Sequence, residues 1–301
     1  MNLLNKYGYV LRDEEIASRI QSVVENLPEQ CPSDILKKCF SMMDLTTLKP
    51  EDTVESVEAL VKKANGVLDT FSGYPLPASV CVYPNFASVV KNMRVSPELH
   101  VTTVAGCFPS SQSFLEVKVQ ECVLAVRNGA DEVDIVLALN HFLAGDEAAA
   151  SEEIKAIREA IDAEAASQGR KVVLKVILET GLLVGPSKMA EASFLAMEAG
   201  ADFIKTSTGK VPVNATPTAA YVMCECIRLF ALKTGKKVGF KAAGGISTDK
   251  DAVCYYYIVS SVLGEEWLNK DLFRFGVSRL GNSLVSAIEQ KTVNYFGSSA
   301  I

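Results

Sequence analysis

The sequence predicts an α/β chain in which eight strand–helix units close into a (β/α)8 barrel behind an N-terminal helical extension. Three observations predict it. Eight short β-rich runs alternate with helical segments along nearly all 301 residues, the pattern of a parallel sheet closed on itself. Glycines mark the joints where a helix ends and a strand begins, as in Asn128-Gly129-Ala130-Asp131 and Ala199-Gly200-Ala201-Asp202, because a glycine after the last helical turn accepts the left-handed conformation. No G-x-G-x-x-G occurs, so the chain lacks the fingerprint of an open doubly wound sheet that binds a dinucleotide. The fold class is therefore a TIM barrel.

The elements follow in order. Residues 1–35 precede the first strand and are read as the extension. Ile16, Ile20 and Val23 recur at helical spacing, and the helix they form is expected to cap the lower end of the barrel. Residues 36–301 are read as a single TIM-barrel domain, since no low-complexity linker or charge block divides them. The first strand is expected at 40–44. Val54, Val57, Val61 and Ala64 then place one apolar stripe on a helix, with Asp52 and Glu55 resembling its capping box. Strands two and three are expected at 79–82 and 100–104. The stripe Leu115, Val119, Cys122 and Val126 marks the next helix. Strands four, five and six are expected at 132–137, 172–178 and 202–206. Thr216-Pro217 reads as a helix N-cap and first turn. Strands seven and eight are expected at 238–241 and 272–276.

Composition narrows the function. Hydrophobic residues make up 49% and charged residues 22%, which excludes a disordered chain. Thirty Lys and Arg against 36 Asp and Glu give a net charge of −6, the wrong sign for a general nucleic-acid binder. A small basic pocket for one anionic metabolite remains compatible with it. The two histidines, His100 and His141, are too few for a three-histidine metal site, so no metal is expected; both read as polar structural residues. Most of the eight cysteines stand in apolar runs and read as buried free thiols of a reducing compartment. The first residues lack a signal peptide's apolar core, and residues 71–90 hold Pro75, Pro77 and Pro84, which argues against a membrane helix. The sequon at Asn214 is expected to be inert. A cytoplasmic protein that binds no membrane is expected. Barrel exteriors pair readily, so a homodimer is allowed for, although no exposed patch is legible.

Side chains alternate between the two faces of a strand. Val133, Ile135 and Leu137 facing the helices put Glu132 and Asp134 in the lumen. Val172, Leu174, Val176 and Leu178 outward leave Lys175 inward. Ile204 outward puts Lys205 inward, and Val238 and Phe240 outward put Gly239 and Lys241 inward. Met43 outward places Met42 and Asp44 inside. Asp44, Asp134, Lys175, Lys205 and Lys241 thus converge on one interior, several at the strand ends where barrels carry their sites. One reading is an ion-pair network that only fixes strand register. Two lysines in one low-dielectric space argue for chemistry. At ~4 Å and an effective dielectric of ~20 two like charges repel by about 4 kcal/mol, and a lysine so depressed becomes a nucleophile near neutral pH. Strand geometry leaves open which lysine that is.

The runs MDLTTL (43–48), GADEVDIV (129–136), LKVILETG (174–181), DFIKTSTGK (202–210), VGFKAAGG (238–245) and FRFG (273–276) resemble the 2-deoxyribose-5-phosphate aldolase family, over about residues 40–285. The resemblance implies a TIM barrel and a class I aldolase that needs no cofactor. It implies reversible cleavage of 2-deoxy-D-ribose 5-phosphate to D-glyceraldehyde 3-phosphate and acetaldehyde through a lysine Schiff base. By the same match Lys205 is the Schiff-base lysine, Lys241 the second lysine and Asp134 the proton-transfer carboxylate. Lys175 and Asp44 are expected to orient these groups. Cys81, in strand two, reads either as a neighbour of the aldehyde or as a small buried apolar residue.

A phosphate needs backbone N–H groups and a cation. Gly209-Lys210, Gly244-Gly245 and Gly276 with Ser278 follow strands six, seven and eight, where barrels commonly bind phosphate. With Thr206 they form the expected substrate- and phosphate-binding set. The chain departs from the family pattern at Ala242, where a proline is common. It departs again at Val277, Ser278 and Arg279, where a small residue and two serines are usual. Arg279 either strengthens phosphate binding or points along the next helix. The tail tyrosine that some members use has one counterpart, Tyr295, to which no role is carried over. Two other functions stay open: a lysine-dependent barrel aldolase for another phosphorylated sugar, and a sugar-phosphate-binding barrel without catalysis.

Overall fold

The structure, a computed structural model, describes residues 2–10 and 12–297. Eight parallel strands close into one barrel in chain order. They are β1 (Met43–Thr46), β2 (Ser79–Val82), β3 (His100–Val104), β4 (Glu132–Val136), β5 (Val173–Ile177), β6 (Phe203–Lys205), β7 (Gly239–Ala243) and β8 (Phe273–Val277). This is the predicted (β/α)8 barrel.

Three local expectations need correction. β1 begins at Met43 rather than residue 40, because Leu36, Cys39 and Phe40 form the buried stripe of the helix Ser33–Ser41, and that periodicity outweighs the β propensity of the run. The helix Val54–Asn65 is capped by Thr53 and Ser56, each side-chain oxygen accepting from the other's backbone N–H, one residue beyond the expected box. Asp52 instead accepts from the Thr47 hydroxyl at 2.7 Å and the Lys49 N–H at 2.9 Å, which tightens the loop after β1. The helix Asp13–Glu25 packs on the outer helices Pro217–Thr234 and Asp249–Leu263. The extension therefore braces the flank rather than the lower end. Tyr7 anchors it, stacked on Phe194 with ring centroids 4.4 Å apart, its hydroxyl donating to Glu198 at 2.8 Å.

The outward strand residues Val80, Val101, Val133, Leu174, Val176, Ile204, Phe240 and Phe273 have no exposed surface. Each buried side chain of this size contributes about 1.5–3 kcal/mol, an upper bound on what drives the helices onto the barrel. The inner face is polar. Its floor is Phe203, whose ring lies 6.0 Å from Lys175 Nζ and 5.7 Å from the Arg274 guanidinium carbon. Phe203 pairs in register with Gly239. A Cβ on Gly239 would stand 2.3 Å from the ring, so only glycine leaves room for that floor.

Candidate active site

Asp134, on β4, is the hub of the lumen. Its Oδ1 accepts from Lys175 Nζ at 2.9 Å, and its Oδ2 from Lys205 at 2.9 Å and Lys241 at 2.8 Å. Strand register makes this geometry: Asp134 pairs with Lys175 across β4 and β5, and Lys205 pairs with Lys241 across β6 and β7. Below the hub, Asp44 meets Lys241 at 2.5 Å and Arg274 at 2.6 Å. Glu132 touches Lys175 and accepts from Arg274 Nη2 at 2.7 Å and Nη1 at 3.1 Å. The His100 ring lies 2.6 Å from the same carboxylate, a structural position.

These groups set one another's protonation. Burial works to raise the Asp134 carboxyl, but Lys175, Lys205 and Lys241 together hold it well below the usual range. Burial also opposes the Lys241 ammonium, and Asp134 and Asp44 outweigh it, so Lys241 stays charged far above neutrality. Lys175 is raised likewise, Asp134 and Glu132 overcoming the cost of burial. Lys205 goes the other way: burial and the neighbouring Lys241 charge lower its pKa despite Asp134. Burial pushes the Cys81 thiol up beside the same charges. Its side chain packs with Leu48 and Val104, so it is a neutral wall of the lumen.

A cavity of about 290 Å³ opens above the hub, lined by Lys205, Thr46–Lys49 at the end of β1, Thr208, Gly209, Lys210, Gly244, Gly245, Gly276, Ser278 and Arg279. The three loops expected to hold phosphate thus meet at one rim. Gly244 has φ +80°, and a Cβ there would stand 2.7 Å from Asn214. Gly276 lets β8 approach β7: a Cβ would lie 2.9 Å from that of Ala243 and 3.0 Å from Lys241 Cε. Lys210 Nζ donates to the Leu48 carbonyl at 2.6 Å and bridges the rim. Arg279 is exposed, stands at the N-cap of the helix Leu280–Glu289 and lines the cavity.

Thr206 is not brought to this cavity. Its hydroxyl donates to the Ala243 carbonyl at 3.2 Å and accepts the Ala243 N–H at 3.0 Å, so it locks β6 to β7 instead of meeting a ligand. Two residues were missed, Arg274 and Glu179. Arg274 completes the charge network with Glu132, which alternation already places in the lumen, and the same alternation puts Arg274 inside. Glu179 holds a left-handed φ of 54° and accepts from the Thr208 N–H at 3.1 Å and hydroxyl at 2.5 Å, fixing the loop after β6. No sequence signal beyond its polarity marks it. Tyr295 donates to the Lys63 carbonyl at 3.0 Å, away from the cavity.

A larger cavity of about 710 Å³ lies between residues 27–31 and the helix Asp249–Leu263, and no fully buried charge lines it, so volume alone does not locate the chemistry. Among the described residues no group of three or more His, Cys, Asp or Glu is arranged to hold a metal ion. No helix there is long and apolar enough to cross a membrane.

Comparison with known proteins agrees with this geometry. A family model described as DeoC/LacD family aldolase matches residues 39–253. A protein assigned as a deoxyribose-phosphate aldolase in Caenorhabditis elegans is 42% identical over 270 residues, covering 89% of this chain and 86% of its own. Among solved structures, the tetrameric deoxyribose phosphate aldolase of Aeropyrum pernix superposes with a TM-score of 0.63 at 25% identity, over 93% of this chain and 98% of that one. The aldolase QR15 is 30% identical with a TM-score of 0.61, over 84% of this chain and 95% of its own. The chain belongs to the DeoC/LacD family of aldolases, enzymes that make and break carbon–carbon bonds.

Proposed function

We propose that the enzyme reversibly cleaves 2-deoxy-D-ribose 5-phosphate to D-glyceraldehyde 3-phosphate and acetaldehyde through a Schiff base on Lys205. One observation carries the reading. Lys205 is the lumen amine that lines the cavity, and its pKa is lowered while those of Lys175 and Lys241 are raised.

The neutral Lys205 amine attacks the aldehyde carbon of the open-chain sugar, and loss of water leaves a protonated imine. The C3 hydroxyl gives up its proton, the C2–C3 bond breaks, and its electron pair flows into the imine to form an enamine. Glyceraldehyde 3-phosphate departs. Protonation of the enamine carbon gives the acetaldehyde imine, which water hydrolyses. Asp134, held ionised, stabilises each cationic imine and passes protons through a bridging water. Lys241 stays charged and keeps Lys205 depressed. Gly209, Lys210, Gly244, Gly245, Gly276 and Ser278 hold the phosphate, which fixes the sugar while a remote bond breaks.

In this reading residues 36–301 form the catalytic barrel and residues 1–35 brace it. A cytoplasmic role in deoxyribose phosphate catabolism goes with the eight free cysteines. A homodimer is part of the proposal, and the tetramer of the Aeropyrum pernix relative supports self-association.

Borohydride with acetaldehyde tests the mechanism. It should inactivate the enzyme and leave an ethyl group on Lys205, found by peptide mapping. A tag on Lys241 alone, or none, overturns the assignment. Lys205→Arg should abolish both the tag and turnover, because a guanidinium forms no imine at working pH.

A further inference from the structure

Arg274 is 1% exposed, sits on β8 deep in the lumen, and does not line the cavity. Its guanidinium is spent on Asp44 and Glu132. A charge count gives it a role. Asp44, Glu132 and Asp134 bring three negative charges, and Lys175, Lys205, Lys241 and Arg274 bring four positive ones, all buried. His100 borders Glu132 from the edge, and the Cys81 thiol beside Lys205 stays neutral. An unbalanced charge in a low-dielectric interior is costly, so one proton leaves. A guanidinium does not give it up. The lysines are not equal: Lys175 touches Asp44, Glu132 and Asp134, Lys241 touches Asp44 and Asp134, and Lys205 touches Asp134 alone. Lys205, with the least carboxylate support, loses the proton.

We propose that Arg274 is a positioning residue that keeps Lys205 neutral: by occupying Asp44 and Glu132 it leaves the lumen one anion short, and the shortfall falls on Lys205. The proposal rests on Lys205 as the Schiff-base lysine and accounts for how that amine is kept reactive. Without Arg274 three lysines face three carboxylates and Lys205 retains its proton. Without the Glu132 charge the shortfall deepens. Removing both restores the original excess of one positive charge.

The experiment reads the pH dependence of imine trapping at Lys205, with acetaldehyde and cyanoborohydride, in the full-length parent, Arg274→Met, Glu132→Gln and the double variant. The limb on which trapping rises with pH, as Lys205 loses its proton, should move up by roughly one pH unit or more in Arg274→Met, a change of the size one nearby charge produces. Trapping at neutral pH then falls about tenfold per unit. Glu132→Gln should move the limb to lower pH, and the double variant should return it to the parent position. A purely structural role predicts lower stability in each variant, worst in the double, with the limb unmoved. An unmoved limb in Arg274→Met, or shifts of the same sign in both single variants, overturns the proposal. If Arg274→Met does not fold, an unmoved or raised limb in Glu132→Gln overturns it. A parent enzyme not tagged at Lys205 overturns the Schiff-base reading itself, which separates the two failures.

Discussion

Asp134→Asn removes the hub and keeps its shape. In the parent, Asp134 accepts from three amines at 2.8–2.9 Å. The substitution leaves Lys205 with no carboxylate, Lys241 with Asp44 alone, and Lys175 with Asp44 and Glu132. Taking one partner from a buried ion pair costs about 3–5 kcal/mol. At about 2 °C per kcal/mol for a chain of this length, Tm should fall by roughly 6–10 °C. Turnover should fall by roughly 10²-fold or more, the size of an acid–base contribution. Thermal melts by circular dichroism and initial rates of aldehyde release from 2-deoxy-D-ribose 5-phosphate measure the two effects. A lower Tm with unchanged kcat would make Asp134 purely structural. An unchanged Tm would refute the hub.

Other outcomes follow from the same geometry. A direct phosphate contact by Arg279 is worth ~1.5–3 kcal/mol, so Arg279→Ser should cost about 10- to 150-fold in kcat/KM; the loss should vanish with unphosphorylated deoxyribose, and equal, weak responses to both substrates would place Arg279 outside the site. Gly276→Ala sets a methyl 2.9 Å from Ala243 Cβ, so it should lower stability and KM-limited activity together, and a neutral variant would refute the close packing of β7 on β8. Asp44, Glu132 and Asp134 all have pKa values lowered on folding, by cations that outweigh burial. The stability they contribute is present above about pH 4 and lost as pH falls below it. Tm measured against pH should therefore drop less steeply for Asp134→Asn than for the parent.

The strands and the inward charges were legible because each depends on a local pattern. Residues 79–82 and 100–104 match β2 and β3 to the residue, and alternation alone puts Lys175, Lys205 and Lys241 inside. What was not legible depends on partners distant in the chain. Arg274 stands between Phe273 and Phe275, so its direction could be read, but its role comes from Glu132, 142 residues away. Thr206 reads as a polar residue beside a lysine; only the neighbouring strand shows that Ala243 uses its hydroxyl. The extension's seat was hidden for the same reason, since a ring match between Tyr7 and Phe194 decides it.

The burial of the lumen charges divides the reaction by its response to ionic strength. Lys175, Lys241, Asp44, Glu132 and Asp134 have no exposed surface, so mobile ions cannot enter among them. The cations at the rim, Lys210 and Arg279, are exposed, and at physiological ionic strength exposed charges are screened beyond about 8 Å. Added salt then competes with the capture of the sugar phosphate and leaves the bond-breaking step untouched. Saturating substrate hides the effect, and dilute substrate reveals it.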